Sequence, residues 1–141
     1  MKNLMDWSLC EAKFIRKVEV DEEQINFIVE TAGKRLEFVK SNKVTDENVS
    51  FIIENYYEIV KELLVALLLK NGLKSSNHQC LISYFYKQNP DYEFESNLLS
   101  QMSYLRNRLN YYGEKIDFEF YDKNKDEFNK LIDLIKDLIG K

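Results

Sequence analysis

Residues that interrupt regular structure are scarce in this sequence. Proline occurs once and glycine four times in 141 residues, which favours long helices over many short strands. Long apolar runs are also lacking, because the longest, residues 63–69, is far shorter than a membrane-spanning segment needs. The first residues, MKNLMDWSLCEAKF, contain acids and no apolar stretch of signal-peptide length, so no export signal is expected.

Residues that bind metals are equally few. One histidine and two distant cysteines, Cys10 and Cys80, do not provide the three or four ligands of a zinc site. The four glycines stand apart and form no phosphate-binding loop. We therefore expect neither a metal nor a cofactor. The cysteines have no disulfide-framework or metal-site spacing, and we interpret them as reduced core thiols of a cytoplasmic protein.

Positive charge is in deficit. The net charge is −4 and the pI about 5.2, so no overall positive field attracts nucleic acid or an anionic membrane. Binding of either would have to rest on a local basic patch. Lys61, Lys70, Lys74 and Lys115 are candidates to join the arginines near residue 106 in such a patch.

The spacing of apolar residues predicts an all-α, up-and-down antiparallel bundle of about five to six helices. The third helix has the broadest apolar face, which predicts that it lies at the centre. Residues 116–120 alternate apolar and acidic residues and could form a short extended segment. Six helices are predicted. The first covers residues 4–17, the second begins at its N-cap Asp21, with Gln24 completing a capping box, and the third covers residues 45–70, capped by Thr45 and ended by Gly72. The fourth begins at its N-cap Ser76, with Gln79 completing a capping box, and ends at Asn89; the fifth starts between Asp91 and Glu95 and ends at Gly113; the last is capped by Asp122 or Asn124.

The sequence YLRNRLNYYG, residues 104–113, is the candidate site. Leu105, Leu109 and Tyr112 continue an apolar seam, so Tyr112 is interpreted as a core residue. Arg106 and Asn110 are four residues apart and share a helix face. Arg106 and Tyr111 differ by roughly 140° around a helix. These two side chains can act together only at a helix bend or across a two-fold axis between two protomers.

Arg106 also permits a purely structural interpretation. It follows a core residue, and a half-buried arginine needs partners. A salt bridge to Glu54 or Glu58 would provide one without any function. Arg108 is interpreted as a solvated surface residue. His78, the single histidine, falls in the first turn of a short helix, where a partly exposed polar residue is more common than a catalytic one.

The sequence YLRNRLNYYG, after NHQCLISYFY, resembles the HEPN domain family over about residues 48–139. Members are small, usually dimeric, all-α bundles with an Arg, often followed by Asn or Asp, and a His four to six residues after the Arg. Arg106 and Asn107 match the first half, whereas Tyr111, or Tyr112, stands at the histidine position. The resemblance implies one helical domain over residues 1–141, with the N-terminal helices of residues 4–40 packed on a HEPN-like core.

The resemblance implies two possible functions, and the residues themselves leave a third open. The first is a dimeric module that binds RNA, a nucleotide or a partner protein, such as a nucleotidyltransferase antitoxin, with weak or no catalysis. Its ligand-binding residues would be Arg106, Asn110, Tyr111, Tyr112 and His78. The second is a metal-independent endoribonuclease of the toxin type that uses Arg106 and Asn107 with Tyr111 or His78. Tyrosine titrates near 10 and would need a pKa shift of roughly three units to act as the base. The third is a purely structural helical protein.

Overall fold

The computed structural model describes residues 4–141, and within this range the chain forms six helices and one two-stranded sheet. The all-α bundle expected from the sequence is confirmed. The elements are α1 (Trp7–Lys13), β1 (Arg16–Lys17), α2 (Glu22–Lys40), α3 (Val49–Lys70), β2 (Leu73–Lys74), α4 (His78–Gln88), α5 (Glu93–Tyr112) and α6 (Phe118–Ile139).

The central position of α3 is also confirmed. This helix contacts α2, α4, α5, α6 and β2, and most of its residues are buried in one continuous apolar core. Its largest fully buried side chains include Ile53, Leu63 and Leu64. Burying aliphatic side chains of this size stabilises the fold by about 1.5–3 kcal/mol each, so the neighbours of α3 are held firmly against it. The helices that carry the candidate site are therefore fixed by the core.

Local signals set several helix ends as expected. Asp21 caps α2, because its side chain accepts a hydrogen bond from the backbone nitrogen of Gln24 at 3.2 Å. Gly72 and Gly113 follow α3 and α5 with φ angles of 72° and 67°, the left-handed conformation that glycine adopts without strain. None of the helices in residues 4–141 is both long and apolar enough to cross a membrane.

Other predicted boundaries are wrong by one or more residues. The first helix is shorter than residues 4–17, because Arg16 and Lys17 pair with Lys74 and Leu73 in an antiparallel ribbon. Asn77 rather than Ser76 caps α4, through a 3.2 Å hydrogen bond from the nitrogen of Cys80. Thr45 and Asn48 do exchange the predicted kind of capping bonds, at 2.8 and 3.3 Å, but these bonds close a turn before α3 begins.

The extended segment at residues 116–120 is a wrong prediction. Asp117 caps α6, so Asp122 and Asn124 lie inside the helix rather than before it. The ring of Phe120 packs 5.9 Å from that of Phe128, and Phe118 packs 5.9 Å from Tyr121. Aromatic packing at helical spacing thus overrides the alternating pattern, which is a weak signal where no partner strand exists.

The cysteines differ most from expectation. Cys10 and Cys80 form a disulfide between α1 and α4, with Cα atoms 5.5 Å apart, and they are not reduced thiols. They lie 70 residues apart in the chain, and two cysteines at such a distance carry no pairing signal in a single sequence. The bond fixes the first helix to the start of α4.

Candidate site between helices α3, α4 and α5

Arg106 lies on the face of α5 that packs against α3. Its guanidinium is 3.6 Å from a carboxylate oxygen of Glu58, and its side chain is 21% exposed. It also lies over the ring of Tyr57, 5.8 Å from the ring centre. The predicted half-buried arginine with a salt bridge to Glu58 is confirmed. The guanidinium is thus held in place while about a fifth of the side chain remains open to a ligand.

Asn110 extends these contacts one turn along α5. In the amide orientation that its neighbours require, its oxygen accepts a 3.1 Å hydrogen bond from Nε of Arg106. Its nitrogen donates to a carboxylate oxygen of Glu54 at 2.8 Å. Asn107 is also close, because its Oδ1 accepts a 3.5 Å hydrogen bond from Arg106. The shared face predicted for Arg106 and Asn110 is therefore present, and both glutamates considered as partners take part.

His78 approaches the same place from the first turn of α4. Burial lowers the pKa of His78, the positive charges of Lys61 and Arg106 lower it further, and Glu58 opposes the shift. A charge acts on a pKa in this way only from close by. His78 therefore lies within electrostatic reach of Lys61 and Arg106, and the three side chains come from three helices. The depressed pKa keeps the imidazole neutral near pH 7, so it can accept a proton.

We call Glu58, Lys61, His78 and Arg106 the α3–α5 polar cluster. Glu58 is shared, since one of its oxygens is 2.7 Å from Nζ of Lys61 and the other is near Arg106. The cluster thus contains two cations, one imidazole and one carboxylate, and the carboxylate of Glu54 is linked to it through Asn110. An anion could enter by replacing Glu58 as the partner of Arg106.

Hydrogen-bonding side chains underlie the cluster. The hydroxyl of Tyr57 lies 3.4 Å from Oγ of Ser103, and Nε2 of Gln79 donates to the same oxygen at 3.3 Å. Burial raises the pKa of Tyr57, although the Ser103 hydrogen bond and Arg106 oppose the shift, so its hydroxyl stays protonated. The oxygen Oε1 of Gln79 is buried and finds no hydrogen-bond partner within residues 4–141, which leaves an acceptor at the edge of the cluster.

The tyrosines at the end of α5 lie elsewhere. Tyr111 is 74% exposed and Tyr112 is 69% exposed, so the interpretation of Tyr112 as a core residue is wrong. The apolar seam ends at Leu109, which is only partly buried. Arg108 is less solvated than expected: its guanidinium stacks 4.4 Å from the centre of the Tyr112 ring, and its Nε donates to Glu114 at 2.9 Å.

The lysines proposed as a single basic patch are divided between different partners. Lys61 belongs to the α3–α5 polar cluster, whereas Lys70 lies 3.5 Å from a carboxylate oxygen of Glu22. Lys74 lies on β2 beside Arg16. In the described part of the chain, no three His, Cys, Asp or Glu side chains are grouped so that they could hold a metal ion.

Two residues that support the site carry no signal in the sequence. Tyr57, whose ring lies under the guanidinium of Arg106, and Gln79 both bond to Ser103, but nothing in the local sequence marks them as site residues. Comparison with protein-family models, with curated proteins and with solved structures gave no match to this chain. The resemblance to the HEPN family accordingly stays a prediction, and the geometry of the α3–α5 polar cluster is the basis on which a function can be proposed.

Proposed function

We propose that this chain is a HEPN-like binding module whose α3–α5 polar cluster binds a phosphate group of RNA or of a nucleotide. The observation that carries the proposal is that Arg106 and Lys61, from two helices, share the carboxylate of Glu58, and that both charges act on His78 of a third helix. Arginine binds phosphate through two parallel hydrogen bonds, and Lys61 adds a second charge.

Titration of fluorescent single-stranded RNA and of a labelled nucleotide, read by anisotropy, tests this proposal. Arg106→Ala should weaken binding roughly ten- to hundredfold, since a hydrogen-bonded charge contributes about 1.5–3 kcal/mol. Arg35→Ala is the matched control, because Arg35 is also partly buried and lies 3.1 Å from a glutamate of α3, Glu62. The affinity of Arg35→Ala for RNA and for the nucleotide should equal that of the wild type.

Two results would contradict the binding proposal. If the wild type binds neither RNA nor nucleotide up to millimolar concentration, the cluster is not such a site. If Arg35→Ala and Arg106→Ala lose affinity equally, along with a similar loss of thermal stability, Arg106 is a structural ion-pair residue. That second outcome would favour the purely structural protein. Added salt should weaken authentic phosphate binding in the wild type.

A ribonuclease is a second candidate, because the charge of Arg106 acts on His78 whereas Tyr111 is 74% exposed. A neutral imidazole near a guanidinium is suited to take the proton of a ribose hydroxyl while the arginine binds the phosphate. RNA cleavage in excess chelator should then be lost in His78→Ala and in Arg106→Ala and retained in Tyr111→Phe. Equal cleavage by wild type and Arg106→Ala, or cleavage by neither, excludes this function.

A homodimer is part of the proposal, and the exposed aromatic residues support it. Tyr111 and Tyr112 end α5, and Phe51, 63% exposed, lies at the start of α3. These ends are neighbours, because the nitrogen of Ile116 donates to Oγ of Ser50 at 2.8 Å. Exposed aromatic residues of this kind are enriched in protein interfaces. Sedimentation should give a dimer that Tyr111→Asp with Phe51→Asp converts to monomer; a monomeric wild type would contradict it.

A further inference from the structure

The ribbon of β1 and β2 places two positive side chains opposite each other. Arg16 is the direct cross-strand partner of Lys74. Like charges at such positions destabilise a strand pair, whereas an acid opposite a base would stabilise it. No ion pair involving Arg16, Lys74 or the nearby Lys13 occurs in the part of the chain that the structure describes. No acidic side chain in the described residues therefore pairs directly with these cations.

These three cations line one small cavity. Its volume is about 210 Å³, and its walls are formed by Lys13, Phe14, Ile15, Arg16, Lys74, Ser75 and Ser76. No aspartate or glutamate is among them. The whole chain has a net charge of −4, so a cavity lined by three cations and no acid has the opposite charge to the protein as a whole. Low-dielectric walls such as those of Phe14 and Ile15 strengthen the field inside such a cavity.

The cavity is held together from both sides. The disulfide of Cys10 and Cys80 fixes α1, which ends at Lys13, to α4. The nitrogen of Val18 donates to the oxygen of Gly72 at 2.9 Å, which anchors β1 beside the turn before β2. Because the two walls are fixed, an anion between them would not first have to order the chain.

Polar groups that can donate hydrogen bonds complete the lining. Ser76 is exposed at the rim, and the hydroxyl of Ser75 accepts a 3.1 Å hydrogen bond from the nitrogen of Asn77 and donates a weak one to the backbone oxygen of the same residue at 3.5 Å. The eleven-residue helix α4 begins directly afterwards, at His78. Its positive dipole end adds to the field of the three cations. A tetrahedral anion with two negative charges would satisfy this set better than a carboxylate, which has one charge and two oxygens.

We propose that the cavity formed by Lys13, Arg16, Lys74, Ser75 and Ser76 binds a phosphate group. The arginine would hold two phosphate oxygens, and the two lysines would neutralise the remaining charge. This site is separate from the α3–α5 polar cluster, so it can exist whether or not that cluster binds RNA or a nucleotide. The phosphate could be free, a monoester or a diester, because all three have negatively charged phosphate oxygens that these side chains can bind.

Nuclear magnetic resonance of the intact, oxidised protein tests the proposal. Inorganic phosphate, adenosine monophosphate and the dinucleotide ApA would be titrated separately, with chloride at equal ionic strength as reference. Saturable shifts are expected at the backbone amides of residues 74–78. Arg16→Gln with Lys74→Gln should raise the dissociation constant at least tenfold. The charge-matched control, Lys34→Gln with Lys43→Gln, changes two exposed lysines far from the ribbon in sequence and should leave it unchanged.

The outcomes of this experiment decide whether the cavity binds phosphate and which kind of phosphate it binds. Saturation by phosphate and by adenosine monophosphate alone assigns a dianion or monoester site, and saturation by ApA as well extends the assignment to diesters. The absence of saturable shifts at residues 74–78, or equal affinity in the Arg16/Lys74 variant, overturns the proposal. Both variants replace exposed side chains, and their amide spectra report whether the fold is retained. Arg106→Ala should bind phosphate here as the wild type does, which distinguishes this site from the polar cluster.

Discussion

The exposure of individual residues explains which site predictions succeeded. Arg106 was predictable because it follows the seam residue Leu105, and a half-buried arginine requires a carboxylate; Glu58 provides it. Tyr112 continues the same seam in sequence, yet it lies beyond the point where a neighbouring helix covers α5 and is 69% exposed. Periodicity reports the face of a helix, not how far along its length that face is covered.

His78 should make the stability of the protein depend on pH. Its pKa is lowered in the folded state by burial, Lys61 and Arg106, so the unfolded chain binds the proton more readily. As the pH falls from about 7.5 through the unfolded-state pKa of about 6.5, the wild type should lose stability relative to His78→Gln. The loss should level off below the folded-state pKa.

Urea unfolding of both proteins at several pH values measures this effect. The difference in the free energy of unfolding between wild type and His78→Gln should change in that pH window alone. A difference that stays constant with pH, or one that favours the wild type more at low pH, would show that His78 is not held near Lys61 and Arg106. Tyr111→Phe is a suitable control, because Tyr111 is largely exposed.

Tyr111 should contribute little to the stability of the monomeric fold. Its side chain is 74% exposed, and substitutions at such positions usually change the free energy of unfolding by no more than about 0.5 kcal/mol. Tyr111→Ala should therefore unfold in dilute solution almost as the wild type does, whereas Phe128→Ala, at a fully buried position, should cost about 3–5 kcal/mol. A loss of stability in Tyr111→Ala that grows as the protein concentration is raised would indicate an interface.

At the scale of elements, capping residues predicted the positions of helix ends to within a few residues. Asp21, Gly72 and Gly113 act as expected, because each signal is local and its partner lies within one turn. The start of α6 was wrong because the competing signal, alternation over residues 116–120, can be judged only with knowledge of a partner strand. The ribbon was missed for the same reason, since β1 and β2 are distant in sequence and two residues long.

Two glycines should respond to alanine in opposite ways. Gly113 ends α5 with a φ of 67°, and a Cβ there would meet no atom within 4 Å. Gly113→Ala should thus cost about 1–2 kcal/mol from backbone conformation alone. Gly33 lies inside α2, also with no atom within 4 Å of an added Cβ, and Gly33→Ala should stabilise by about 0.5–1 kcal/mol. Thermal unfolding of both variants checks the signs; a destabilised Gly33→Ala would contradict the free space beside α2.

At the scale of the whole molecule, the disulfide joins the N-terminal segment to the bundle. The 70-residue separation of Cys10 and Cys80 predicts about 4 kcal/mol of stabilisation in the chain-entropy model. A reductant should therefore lower the free energy of unfolding of the wild type and leave that of Cys10→Ser with Cys80→Ser unchanged. Two reactive thiols in the unreduced, denatured wild type would show that the bond does not form.

The sequence by itself determined the helical class of this protein and the central position of α3. Scarce proline and glycine, helical apolar spacing and local caps specified an all-α bundle around α3, because these signals act within one or two turns. Only the tertiary structure decided that Cys10 meets Cys80, that Glu58 pairs with Arg106, and that Arg16 faces Lys74. These pairs join distant segments, and their geometry depends on how whole helices pack, which no local pattern records.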